Sequence, residues 1–382
     1  MVLGIVAEFN PFHNGHKYLI SEAKRQTGAD KVVAVMSGAF VQRGGIAITD
    51  KHSRTAAALD GGVDLVLELP VIYSLNTAQK FAYGAVATLS ATGVVDTLTF
   101  GSECGSTTLL SNAAKKLIEE PQAVSDKIKL FTAEGMSYAA ARAKAYDGII
   151  PSDILSNPND ILALEYLRAS YMLGTGLDAL AIKRIGAAHD CYAVRKSIAS
   201  AAHIRDILMS GRDAHAYMPD GQFPIYDERL LDTAVISKLR CEGAEYIKKI
   251  NDVSEGLENR FMKAAINSSN VVDLCKNVKS KRYAMSRIRR IAYSSLIGLT
   301  KELAAHEPSY LRVLGMTACG AELLRKMKTA AHLPTVIKAA DYKGDIIFDF
   351  NTRAENIFAL AAPTDELKKG GMDITKPPVI KL

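Results

Sequence analysis

No apolar run in this chain approaches the roughly 20 residues that a membrane-spanning helix needs, so a helical membrane span is excluded from the start. Cysteine is sparse: Cys104, Cys191, Cys241, Cys275 and Cys319 are odd in number and widely scattered. No two of them form a C-x-x-C pair, which excludes a zinc ribbon and a redox dithiol and leaves ordinary reduced thiols. The Walker A pattern G-x-x-x-x-G-K-[ST] is missing, so the chain is not a P-loop protein. There is no internal repeat and no low-complexity tract, which removes solenoids and linkers. Tryptophan is absent as well, and that bears on no function class. Met1 leads into an apolar strand without a basic n-region, so we expect a cytoplasmic chain.

What remains is a folded chain of 382 residues, 48% hydrophobic and 23% charged, long enough for two or three domains. The formal net charge is +6. The window Val271–Arg290 holds Lys276, Lys279, Lys281, Arg282, Arg287, Arg289 and Arg290 against the single acid Asp273, an excess equal to that of the whole chain. Charge concentrated in this way suits a polyanion, with a solvated helix face as the bland alternative.

The first hundred residues alternate short β-branched or leucine-rich runs (Val2–Ala7, Lys31–Met36, Asp64–Leu69, Asp96–Phe100) with helix-length stretches (Lys17–Thr27, Lys51–Leu59, Phe81–Thr92). Near-continuous apolar strands separated by helices predict an α/β fold, a doubly wound, Rossmann-like parallel sheet covered on both faces. A further strand is expected at Ala179–Ile185, with helices at Ile161–Leu173, capped by Asn159-Asp160, and at Ile198–Ser210. Gly211, Pro219, Gly221 and Pro224 place a boundary near 211–225. Residues 1–215 then form the nucleotide-binding domain, and 216–382 a mostly helical, basic second domain with a small strand pair near Thr335–Ala339 and Asp345–Asp349.

The most informative segment is Gly4–His16, where a strand runs into a turn carrying His13 and His16 at i and i+3, directly before a helix. Helix N-termini favour phosphate through free N–H groups and the macrodipole. Imidazoles there can donate to charge developing on a leaving pyrophosphate, and Gly15 lets the backbone approach a phosphate. Metal binding and simple capping stay open as alternatives. Gly101-Ser102-Glu103 should reach the same sheet edge, beyond the carboxyl ends of the strands. The glycine-rich Ser37–Gly45 loop, with Arg43, could form a mobile lid. Ser200 to Arg205 starts a helix after the strand ending near Arg184, and both arginines suit bidentate oxyanion contacts.

His13-Asn14-Gly15-His16 resembles the H-x-G-H signature of adenylating nucleotidyltransferases and class I aminoacyl-tRNA synthetases. Ser200–Arg205 loosely resembles their second phosphate motif, with Ala201 and Ala202 in place of two hydroxyl residues. A longer set is similar to the tRNA(Met) cytidine acetate ligase family. It comprises Ala7-Glu8-Phe9-Asn10-Pro11-Phe12-His13-Asn14-Gly15-His16, Met36-Ser37-Gly38 with Phe40–Gly44, Phe100–Glu103, Asn159–Leu167, Lys183-Arg184-Ile185-Gly186, Ser280–Tyr283 and Arg287–Arg290. The resemblance runs from residue 1 to about 320.

It implies an ATP-dependent ligase in which acetate attacks the α-phosphate and acetyl then passes to the N4 amine of the wobble cytidine of elongator tRNA(Met). His13 and His16 would be catalytic. Ala7, Glu8, Phe9, Asn10, Pro11, Phe12, Asn14, Gly15, Gly101, Asn159, Arg184, Ile185, Ser200 and Arg205 would line the ATP site. Lys279, Lys281, Arg282, Tyr283, Arg287, Arg289 and Arg290 would meet the tRNA, Tyr283 by stacking on single-stranded bases. Mg²⁺ is a physical expectation for any triphosphate reaction, with no residue marked as its ligand. A small-molecule adenylyltransferase, or a tRNA-binding protein with a vestigial nucleotide site, remains as an alternative. No membrane partner is expected, and the oligomeric state is not legible.

Overall fold

The computed structural model describes residues 1–185, 197–219, 223–254 and 256–381. Gly186, Cys191 and Gly221 lie outside the described residues. The β-branched runs become β1 (Val2–Ala7), β2 (Lys31–Ser37), β3 (Leu65–Leu69), β4 (Thr97–Ser102) and β5 (Asp178–Lys183). All five are mutually parallel in the order β5-β4-β1-β2-β3. Because side chains alternate along each strand, Val33 and Val35 of β2 face one core, while Val32, Ala34 and Met36 face the other. The helices Asn14–Thr27 and Lys51–Asp60 cover the second face through Ile20, Ala23, Ala58 and Leu59. Helices Ala78–Ala91 and Pro158–Leu173 cover the first through Phe81, Leu89, Leu164 and Leu167. The doubly wound sheet read from the sequence is present.

Chain order runs outward from β1 to β3 and then returns to β4 on the other side of β1. The switch point of the sheet therefore lies between β1 and β4, where loops diverge and leave a crevice. The segment after β1 opens into that crevice.

The expectation of a separate helical unit at 216–382 needs correction. Helices Asp232–Cys241, Ala244–Lys249, Leu257–Ile266, Val271–Val278 and Met285–Ile297 do follow the expected boundary. The chain then re-enters the sheet: β6 (Leu311–Thr317) pairs antiparallel with β3, and β7 (Thr335–Val336) and β8 (Val379–Lys381) run parallel to β6. The second half of the expected strand pair is also corrected. Asp345 accepts from the N–H groups of Ile347 and Phe348 and so caps the helix Ile346–Ala359.

A buried charge cluster holds this return in place. Lys51 Nζ lies 2.7 Å from Glu68, 3.2 Å from Glu355 and 2.5 Å from Asp373. Arg312 reaches Asp373 at 2.9 Å, and Asn351 donates to Glu68 at 3.1 Å. Lys51 at the centre of the cluster is only 2% exposed.

Candidate functional site

β1 delivers the chain into a turn in which Phe9 has φ 43° and the Asn10–Pro11 bond is cis. Phe9 and Phe12 are buried below the turn, and Phe9 meets the His16 ring edge-on at 4.9 Å. Asn10 is held twice: its Oδ1 accepts from Ile48 N–H at 2.8 Å, and its carbonyl accepts from Arg205 Nη1 at 2.8 Å.

His13 is the N-cap of the Asn14–Thr27 helix. Its Nδ1 accepts from Gly15 N–H at 3.0 Å, and its own N–H donates to His16 Nδ1 at 3.2 Å. The two rings stack with centroids 3.8 Å apart. An imidazole nitrogen that accepts a hydrogen bond carries no proton, so each neutral ring holds its hydrogen on Nε2. Burial, with the Arg184 and Arg205 charges nearby, pushes the His13 pKa down to about 3. Burial and the stacked His13 also hold His16 well below its usual range. At neutral pH the pair presents two uncharged N–H donors.

This changes the roles expected of the helix N-terminus. Its first amides are already used: Asn14 N–H donates to Tyr217 O at 2.8 Å, Gly15 N–H to His13, and His16 N–H to His13 O at 2.8 Å. Gly15 is needed for a different contact, because a Cβ there would stand 2.8 Å from His13 Cε1. The donors left open at this helix are therefore the imidazoles, with its first backbone N–H groups occupied.

The opposite wall comes from β4, β5 and the helix Pro158–Leu173. Glu103 gathers it: its carboxylate accepts from Asn159 Nδ2 at 2.5 Å and from Asp160 N–H at 3.0 Å, and lies 3.9 Å from Arg184 Nε. The Arg184 stem packs over Gly101. Asn159 and Asp160 stand in the first helical turn and do not cap it, since Asn157 occupies the N-cap position. Asp160 instead accepts from Ser102 Oγ at 2.5 Å. Sequence reading noted Glu103 only as part of a string; its clamping role shows in the contacts alone.

A third wall is the start of the helix Ala201–Met209. Ser200 Oγ accepts from His203 N–H at 3.2 Å and still has its own hydrogen to give. Ala201, Ala202 and Arg205 line the cleft here. The open cleft has a volume of about 630 Å³, within the roughly 300–1,000 Å³ of small-molecule sites. Ala7, Glu8, Phe9, Asn10, His13, Gly15, His16, Gly101, Asn159, Arg184, Ile185, Ser200 and Arg205 all line it. Pro11, Phe12 and Asn14 do not: Phe12 is core, and Asn14 Nδ2 ties down Ser197 O and Ala216 O.

The expected lid is a seated loop. Ala39 N–H donates to Glu355, Gln42 N–H to Glu8 at 2.8 Å, and Arg289 Nε to Gly44 O at 2.6 Å. Gly44 has φ 82°, and a Cβ there would fall 2.4 Å from Arg290 N. Gln42 and Arg43 thereby form a fixed part of the cleft wall.

The basic window also needs correction. Arg290 is 6% exposed and pairs with Asp252 at 2.6 Å; Arg287 donates to Asp252 O and Ser254 Oγ; Arg289 pairs with Glu228 at 2.7 Å. Tyr283 is 5% exposed under the Arg287 guanidinium, so its ring is not presented to a base. Lys279 donates to Tyr283 O. Lys276, Lys281 and Arg282 remain outward. Composition registered the charge, while helix packing turned three of the arginines inward.

Among the described residues no helix is long and apolar enough to cross a membrane, and no group of three His, Cys, Asp or Glu side chains could hold a metal ion.

A family model described as HIGH Nucleotidyl Transferase matches residues 1–373. The tRNA(Met) cytidine acetate ligase of Thermoanaerobacter sp. (strain X514) is 38% identical over all of both chains. That of Halothermothrix orenii is 34% identical over all of this chain and 99% of its own. Among solved structures, Thermotoga maritima TmcAL bound with alpha-thio ATP superposes with a TM-score of 0.91 at 32% identity, covering 100% of this chain and 99% of that one. Its apo form gives 0.92 at 33% identity, with the same coverage. The chain belongs to the tRNA(Met) cytidine acetate ligase family of HIGH nucleotidyl transferases.

Proposed function

We propose that this protein is a cytoplasmic, ATP-dependent ligase that converts acetate to acetyl-adenylate and passes the acetyl group to the N4 amine of the wobble cytidine of elongator tRNA(Met). The observation that carries this reading is the stacked His13–His16 pair, two neutral Nε2–H donors at the switch point of the sheet with Arg184 and Arg205 nearby.

In the first half-reaction an acetate oxygen attacks the α-phosphorus and pyrophosphate departs. The imidazole donors would bond the phosphate oxygens on which charge develops; removal of one such donor costs on the order of 10²–10³ in rate. Arg184, braced by Glu103, and Arg205, braced by Asn10 O, would hold the phosphate chain. Gly101, with the Arg184 stem over it, and Asn159, whose Nδ2 is held by Glu103, would flank the nucleoside. The described cleft supplies no cluster of ligands for Mg²⁺, so a magnesium ion would be held mainly through the triphosphate's own oxygens and water. Outward Lys276, Lys281 and Arg282, more than the inward arginines, would meet RNA phosphates.

Radiolabelled acetate, ATP and purified tRNA test the reading, with His16→Ala and a tRNA carrying uridine at the wobble position as controls. Label on cytidine that vanishes in both controls is the expected result. ATP–pyrophosphate exchange without label on any tRNA would overturn it in favour of a small-molecule adenylyltransferase.

A further inference from the structure

The cleft contains one feature that phosphate binding does not call for. Among its described lining residues Glu8 is the only carboxylate, set in a wall that otherwise carries Arg43, Lys183, Arg184, Arg205 and the two imidazole donors. A negative side chain repels a triphosphate and acetate alike, so its place needs another reason.

Its contacts narrow that reason. Oε1 accepts from Gln42 N–H at 2.8 Å, which fixes the carboxyl group relative to the loop. Among the described residues no donor is bonded to the second oxygen. Two of the three nearby guanidinium groups are engaged with carbonyl oxygens: Arg54 with those of Glu8, Ser37, Gly38 and Thr49, and Arg205 with that of Asn10. Burial pushes the Glu8 pKa up, opposed by the Gln42 N–H and by Arg205, Arg43 and Arg54. Tyr166, from the helix Pro158–Leu173, faces it; burial and the Glu8 charge both keep that phenol protonated.

The reaction supplies a matching need, on the reading given under Proposed function. When the cytidine N4 attacks the acetyl carbon, an N–C bond forms and the C–O bond to AMP breaks, its electron pair leaving on the phosphate. The nitrogen then carries an extra proton. His13 and His16 cannot take it, because their Nδ1 atoms are bonded and their Nε2 atoms already hold hydrogen. Arginine has no acceptor.

We propose that the open carboxylate oxygen of Glu8 accepts the proton lost by the attacking amine in the acetyl-transfer half-reaction. Glu8 afterwards returns that proton to water, and AMP leaves as its anion. A base poised closer to neutrality than an ordinary glutamate is matched to this task.

The test compares wild type, Glu8→Gln and Glu8→Asp in two assays, acetate-dependent ATP–pyrophosphate exchange and single-turnover acetyl transfer to tRNA across pH. Glutamine keeps the acceptor for Gln42 N–H. For Glu8→Gln we expect transfer to fall by about 10²–10⁴-fold and exchange, since Glu8 also lines the ATP cleft, to fall by a clearly smaller factor. Wild-type transfer should rise with pH to a plateau, and that acidic limb should disappear in Glu8→Gln and return, displaced, in Glu8→Asp. Equal losses in both assays, or an unchanged acidic limb in Glu8→Gln, would overturn the proposal. Failure of the wild-type protein to acetylate tRNA would instead remove the ligase reading, and the proposal with it.

Discussion

Glu355 makes the stability of this fold dependent on pH in a direction opposite to that of most acidic residues. It lies beside Glu68 and Asp373, and among the described residues Lys51 Nζ and the Ala39 N–H contact its Oε1. Burial raises its pKa from the ordinary 4.5 to about 7, Lys51 opposing and the two neighbouring carboxylates assisting. The folded state therefore binds this proton more tightly than the unfolded chain does. The associated stability is complete below pH 4.5 and is lost as pH rises through 7. A pKa change of this size corresponds to about 3 kcal/mol, a large fraction of the roughly 5–15 kcal/mol that separates folded from unfolded. Asp373 shifts the other way, since Lys51 and Arg312 outweigh its burial, and titrates below this window. Glu355→Gln keeps an acceptor for Lys51 and Ala39 and removes the titration. Urea unfolding at pH 5, 6, 7 and 8 should show wild type losing up to about 3 kcal/mol relative to the variant across that range. Parallel curves for the two proteins would refute the reasoning.

Four further outcomes are expected. Arg290→Ala should destabilise the fold by about 1–3 kcal/mol, because half-buried Asp252 loses two hydrogen bonds and keeps only Arg287 Nε at 3.3 Å among the described cations, measured by denaturant unfolding. Lys281→Ala should instead leave stability within about 0.5 kcal/mol and lower the salt slope of tRNA binding by about one, read by filter binding over a salt series. Gly61→Ala should cost about 1–3 kcal/mol, because its Cβ would stand 2.1 Å from Phe12 Cζ; an unchanged thermal midpoint would contradict the packing. The acid limb of exchange kinetics should show no titration near 6.5 from His13, whose pKa lies at about 3, and loss of such a limb in His13→Asn would contradict the neutral-pair assignment.

The parallel core was legible because each strand from β1 to β5 is a compact apolar run between helix signals, and buried parallel strands must be apolar on both faces. β6 was not legible. Leu311–Thr317 has the same composition, but its partner β3 lies far back in the chain, and no local spacing announces such a pairing. Asp345 misled in the opposite sense, since an acid before an apolar run reads as a strand edge until its capping hydrogen bonds are seen. The turn at Glu8–His16 lines the cleft, and of the two kinds of donor expected there the imidazoles are open while the first helical amides are occupied. Whether a backbone amide is free depends on Tyr217 and on the His13 rotamer, neither of which a motif encodes. The arginines of the Met285–Ile297 helix show the same limit: Arg287 and Arg290 share one face, and only the position of Asp252 decides that this face points inward.

The late return of β6 has a bearing on how the polypeptide emerges from a ribosome. Asn351 closes hydrogen bonds onto Val71 and Glu68 across 280 and 283 residues, and Arg312 and Asp373 complete the charge cluster around Lys51. At about 5–20 residues per second, the nascent first half waits on the order of ten seconds or more for these partners. During that interval β3 is an unpaired sheet edge, and Glu68 has Lys51 but not yet Arg312 or Asn351, a species prone to join its like. The fold is thus finished from its last seventy residues, and truncation there should expose the edge that synthesis normally leaves open only briefly.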